Sequence, residues 1–167
     1  MSYADPVYLG KGGEATATYR AATTDPDLTY KTGTRCSFLA TGATTNGLFG
    51  LYLWELPPLG GGPGPHFHRT LQESFFVVSG TITIYDGREW RATSPRDFIH
   101  VPEGGVHGFR NDSEEPAAML IHFAPGAPRE DYFAANARFS YEGRLSDEEM
   151  AAFYLRHDNH FVPPDNT

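Results

Sequence analysis

The sequence predicts an all-β domain, an antiparallel sandwich or barrel, with two short helices confined to its C-terminal end. Three observations carry this reading. Gly (18 residues) and Pro (13 residues) collect between short runs of β-branched and aromatic residues, as in strands separated by turns. Helical periodicity is scarce ahead of residue 128. The length, 167 residues, suits one domain with a sizeable core and flanking tails.

Taken in order, residues 14–20 (EATATYR) alternate polar with small or aromatic side chains and read as an edge strand in an N-terminal extension, 1–34. RCSFLAT (35–41) and GLFGLYLWEL (47–56) are apolar enough for half-buried or buried strands, with TGATTNG turning between them. ESFFVVSGTITIYDGREW (73–90) reads as a strand, a turn at Ser79-Gly80, a second strand, and an Asp86-Gly87 hairpin into REWRA. DFIHVP (97–102), VHGFRN (106–111) and AAMLIHF (117–123) supply three more, closing a β domain over 35–127. Strands at such spacing without intervening helices argue for an antiparallel arrangement.

The remainder, 128–167, differs. PREDYFAANARF opens like a helix, with Pro128 at its first position and acids in its first turn. In SDEEMAAFYLRHD, Ser146 and Glu149 form a capping box, and Met150, Phe153, Tyr154 and His157 recur at helical spacing. VPPDNT is expected to fray.

Composition excludes several partners. The net charge is −8, and only Lys11 and Lys31 are lysines among 13 cationic residues, so no basic stripe is available for nucleic acid or an anionic membrane surface. No apolar run approaches the roughly 20 residues needed to span a bilayer. The lone Cys36 has no intramolecular disulfide partner, and MSYADPVYLGKGG lacks a basic stretch followed by an apolar one, so a cytoplasmic protein is expected.

The residues that point to chemistry begin with GPHFHRTLQESFFVVSG, 64–80. Residues two apart share one face of a strand, roughly 6.6 Å apart along it, whereas in a helix they diverge by about 200°. His66 and His68 therefore converge only if extended, as the preceding Pro65 and glycines favour. Glu73 opens the next strand with the parity of Phe75 and Val77. A carboxylate and two neutral imidazoles facing an apolar interior are costly unless something satisfies them together, and a divalent cation does so. VPEGGVHGFRN delivers a third imidazole, His107, from a Pro-Gly turn onto another strand.

These residues resemble the cupin superfamily. Its first motif, G-x5-H-x-H-x4-E-x6-G, is matched by Gly60, His66, His68, Glu73 and Gly80; its second, G-x5-P-x-G-x2-H-x3-N, by Pro102, Gly104, His107 and Asn111, with Arg96 in place of the leading glycine. The resemblance is strong over about 50 to 125 and is closest to small single-domain, quercetinase-like cupins. It implies a double-stranded β-helix (jelly-roll barrel), and one divalent transition metal (Fe, Ni, Mn, Co or Zn) held by His66, His68, Glu73 and His107. Such a donor set is intermediate in hardness and leaves two positions of an octahedron open. It further implies a metal-dependent dioxygenase acting with O2 on a small aromatic or enolic compound such as a flavonol or diketone. In that chemistry Glu73 is both ligand and base, which requires its carboxylate to shift. A metal-assisted isomerase or cyclase of a polyketide-like compound, and a non-enzymatic small-molecule-binding protein, are the alternatives. A homodimer is implied, with 14–20 as the strand that pairs with a neighbour.

Other candidates are weighed against plainer roles. His100 and His122 lie on apolar strands and are read as structural ahead of entering the cavity; Arg69 and Arg110 sit near the donors but are read as exposed. His157 and His160 have metal-like spacing at a helix end and are read as surface histidines. Of the aromatic residues, Phe38, Phe49, Tyr52, Trp54, Phe67, Phe75, Phe76 and Phe109 are expected mostly in the core. A few should line the mouth of the barrel.

Overall fold

A computed structural model describes residues 2–162; the expected fraying of the C-terminal tail falls, beyond Val162, outside the described residues. Eleven short strands and two helices follow in the order β1 (Leu28–Thr29), β2 (Arg35–Ala40), β3 (Gly50–Leu56), β4 (His66–Phe67), β5 (Gln72–Ser79), β6 (Thr83–Tyr85), β7 (Trp90–Ala92), β8 (Phe98–Val101), β9 (Gly108–Arg110), β10 (Ala117–Ala124), α1 (Arg129–Glu142), α2 (Asp147–Arg156) and β11 (His160–Phe161). All pairings are antiparallel. A six-stranded sheet runs β1-β2-β3-β10-β5-β8, a three-stranded sheet β7-β6-β9, and β11 pairs with β4. Neighbours distant in sequence, such as β10 between β3 and β5, wind the chain about one apolar interior.

Parity decides what lies inside. Along β3 and β10 burial alternates residue by residue. In β5, Glu73, Phe75 and Val77 are buried while Phe76 and Val78 are exposed on the outer face. The interior is aromatic: Tyr52 meets Phe38, Phe123 and Phe133 edge-on at ring separations of 5.7, 5.8 and 5.2 Å. Such pairs add roughly 0.5–1.5 kcal/mol each beyond area burial. Cys36 is fully buried in the same core, and burial raises its thiol far above the usual range.

The two helices cover the barrel. Phe133 of α1 packs 5.1 Å from the Trp54 ring, and Phe153 of α2 stacks on Tyr132 at 5.4 Å. The capping box of Ser146 and Glu149 is present in full. Pro128 is the residue before α1, so Arg129 and not proline takes the first helical position.

Two local readings change. Residues 14–20 carry no strand and are largely exposed, Tyr19 by 90%. Their alternation is built on alanine and threonine, which bury too little to hold an extended segment against a sheet, and the edge beside β2 is taken by β1. The pairing proposed for a neighbour's strand therefore has no strand to use. Arg96, at the motif's glycine position, adopts φ 81°, and the turn closes through Asp97 N–H to the Ser94 carbonyl (3.0 Å) and Arg96 N–H to the Val77 carbonyl (2.8 Å). A side chain there costs about 1–2 kcal/mol, only part of which is returned by the lower entropy of a non-glycine unfolded chain. Arg96→Gly is expected to stabilise the protein by about 0.5 kcal/mol, measured by urea unfolding.

Candidate metal centre

Each donor is placed by backbone geometry. His66 and His107 form a reciprocal bridge, N–H to carbonyl at 2.8 Å both ways, which sets β4 against the segment leading into β9. Gly104, at φ 79°, donates its N–H to the His68 carbonyl at 2.7 Å, fastening the second motif to the first. Asn111, fully buried, donates to the carbonyls of Pro57 and Glu115 and accepts from Ser113. It braces the loop without reaching the donors.

The result brings together one ligand atom each from His66, His68, Glu73 and His107, all within 4.8 Å of one another. All four side chains are buried, none exposed by more than 4%. Every imidazole has its Nδ1 tied to a carbonyl oxygen: His66 to Gly64 (2.9 Å), His68 to Asp158 (2.6 Å) and His107 to Gly105 (2.9 Å). A carbonyl only accepts, so each Nδ1 carries the hydrogen and each Nε2 presents a lone pair.

That assignment gives the test of fit. Glu73 Oε2 lies 3.1 Å from His68 Nε2 and 2.8 Å from His107 Nε2. Neutral rings with the hydrogen on Nδ1 have nothing to donate there, so lone pairs and carboxylate oppose one another unless a proton or a metal cation stands between them. Burial alone would raise Glu73, but His107 and His68 outweigh it and hold the carboxyl far below its usual range. Burial likewise opposes protonation of His107, and Glu73 reverses the sign, raising it. His66 is lowered to about 3, first by burial and then by His107. An ionised carboxylate among three imidazoles fits one divalent transition metal, and the His–carbonyl contacts are the orienting bonds such a site uses.

His66 and Glu73 face a cavity of about 340 Å³ whose other walls include Trp54, Phe109, Phe123 and Phe133. His100 and His122 are elsewhere: His100 is exposed beside Ser74, and His122 stacks on Phe49 on the sheet's outer face. Arg69 is exposed, and Arg110 pairs with Asp112 and lies 3.8 Å over Trp90. His157 packs on Phe153 and His160 stacks on Phe67, so they form no second donor cluster.

Two residues near the site escape a motif reading. Asp158 supplies the carbonyl for His68 from 90 positions away. Arg129 is buried at the cavity wall; its one trace in the sequence is a cation opening a helix, where the dipole disfavours it.

Residues 52–123 match the Cupin_2 family of cupin domains. Quercetin 2,3-dioxygenase of Bacillus subtilis (strain 168) is 41% identical over 49 residues, which is 29% of this chain and 14% of that protein, so the matched stretch spans about a seventh of the curated relative. Among solved structures, a predicted oxalate decarboxylase from Thermotoga maritima superposes with TM-score 0.57 at 16% identity, covering 65% of this chain and 99% of the other. The polyketide cyclase RemF from Streptomyces resistomycificus superposes with TM-score 0.55 at 24% identity, covering 66% and 81%. At these identities the two structures speak for the fold alone. No helix among the described residues is long and apolar enough to cross a membrane. Residues 52–123, wound as a double-stranded β-helix around the cavity, are a cupin domain.

Proposed function

We propose that the protein is a metal-dependent dioxygenase acting on a small aromatic or enolic compound, with His66, His68, Glu73 and His107 as the metal ligands. The observation that carries this is the convergence of three Nε2 lone pairs and one ionised carboxylate at the wall of an aromatic cavity. The likeness to quercetin 2,3-dioxygenase over 49 residues supports the reaction class.

The metal, when bound, acidifies a coordinated hydroxyl and offers a redox-active centre for O2. The chain's own residues do the rest. Trp54, Phe109 and Phe133 give the cavity an apolar wall against which a flat ring lies, shielded from water. Glu73 Oε2 accepts the proton of the substrate's enol or phenol hydroxyl, moving off one histidine as it does so. A carboxyl held so low is a weak base, so it takes the proton only from a hydroxyl that is itself acidified.

The test is O2 uptake with flavonols and 1,3-diketones by protein loaded in turn with Fe, Ni, Mn, Co and Zn. Uptake is expected with at least one of the first four and none with zinc, which has no redox chemistry. Turnover with zinc in the absence of O2 establishes the isomerase or cyclase reading instead; no turnover with any metal leaves a binding protein. A homodimer is part of the proposal. Its support is the outer face of the six-stranded sheet, where Phe76, Val78 and Phe98 are exposed by 40%, 45% and 63%, and light scattering decides it.

A further inference from the structure

Arg129 is 4% exposed and lines the same cavity as His66 and Glu73. It lies outside the segment that matches the cupin domain, residues 52–123. Its guanidinium is packed among the rings of Phe123, Tyr132 and Phe133, at 5.0, 4.4 and 5.4 Å. Nη1 donates to the His157 carbonyl (2.8 Å) and to Asn159 Oδ1 (3.0 Å). Nε is buried without any partner.

A guanidinium is charged at any working pH, yet among the described residues no ion pair engages this one. The acids nearby are committed. Glu130 accepts from the Tyr52 hydroxyl at 2.5 Å. The Asp158 carboxylate accepts from the N–H groups of Arg69 and Thr70 and from the Thr70 hydroxyl. Glu73 belongs to the histidine cluster. The position of Arg129 at the start of α1 adds the positive end of a helix dipole to its own charge. Buried charges are ordinarily paired, and here the free volume beside the charge is the cavity itself.

We propose that Arg129 is an anion-recognition residue and that the compound bound in the cavity carries a carboxylate or a comparable anionic oxygen on an aromatic or enolic frame. This deepens the proposed function and rests on it for the identity of the cavity as the substrate site. With a divalent cation bound, the cation, Glu73 and Arg129 together leave the site positive, so an anionic compound is favoured over its neutral analogue. A neutral compound leaves the guanidinium desolvated and unpaired, which is how such sites discriminate.

The test is calorimetric binding of benzoate and of benzamide, near-isosteric and differing in charge, to metal-free and to zinc-loaded protein. In the metal-free form no bound cation contributes to the preference, and comparison with the Met variant isolates the share due to Arg129. Native protein is expected to bind benzoate roughly tenfold or more tightly than benzamide, the effect of one charge-assisted hydrogen bond. Arg129→Met is expected to abolish that preference and leave benzamide binding within about twofold. Arg129→Lys, which keeps the charge, is expected to retain part of it. Equal binding of the two ligands by native protein overturns the proposal, as does a Met variant that weakens both alike, since that marks a role confined to holding 157–159. If the Met variant does not fold, the native and Lys measurements decide. Because the metal-free measurement needs neither metal nor turnover, loss of the dioxygenase reading through absent O2 uptake leaves this result standing, and the converse holds.

Discussion

Protein carrying His107→Ala is expected to bind its metal about a hundred- to a thousandfold more weakly than the native chain. Structural four-donor sites are worth about 10–16 kcal/mol in total, so one donor accounts for roughly 3–4 kcal/mol, and each 1.4 kcal/mol is a factor of about ten. His107 is the informative choice because it comes from the second motif and closes the cluster against Glu73 at 2.8 Å. Its loss removes both a donor and the group that holds the carboxylate far below its usual range. Competition against a chelator of known affinity, with elemental analysis of the dialysed protein, reads the change directly. His100→Ala and His122→Ala are the controls, since both side chains stand on the outer face of the sheet and should leave the affinity unaltered. A His107→Ala protein retaining one tightly held metal per chain would exclude the proposed ligand set.

The contrast between His107 and His122 shows what a sequence can convey about this fold. Strand parity is local: once Glu73 points inward, Phe75 and Val77 must follow and Phe76 must leave, as the burial of β5 shows. Both histidine motifs are likewise short-range, each a turn feeding a strand, so the resemblance that implies the four ligands is carried by local spacing. Where parity has little side chain to act on, as in the alanine and threonine residues of 14–20, alternation exists without a strand because nothing rewards burial. Contacts that span the chain leave no local pattern. Arg129 reaches His157 and Asn159, 28 and 30 positions on, and β11 pairs with β4 across nearly a hundred residues. The chemistry written in the motifs is thus supported by a C-terminal segment that no motif describes.

That support gives the second large effect. Asp158→Ala is expected to destabilise the protein by about 2–3 kcal/mol and to weaken metal binding by roughly 10–100-fold. Asp158 sits at φ 55°, which aspartate tolerates and alanine does not. Its carboxylate accepts from the N–H groups of Arg69 (3.0 Å) and Thr70 (2.9 Å) and from the Thr70 hydroxyl (2.7 Å), pinning the two residues after His68. Its carbonyl accepts from His68 Nδ1 at 2.6 Å, so the same residue fixes both the tautomer and the direction of a proposed ligand. Burial would raise the Asp158 carboxyl, but the Thr70 hydroxyl and the two amides outweigh it and lower it. A depressed carboxyl contributes stability above its unfolded value, about 3.9 for aspartate, and loses that contribution as pH falls through its folded value. The advantage of native protein over Asp158→Asn, which keeps the backbone tolerance, should therefore be fully present above about pH 5 and shrink below it. Denaturant unfolding at a series of pH values reads this, alongside metal affinity for both variants. If Asp158→Ala lowers stability while metal affinity stays native, the carbonyl is held in place by β11 pairing alone, and His68 owes its orientation to the strand and not to this turn.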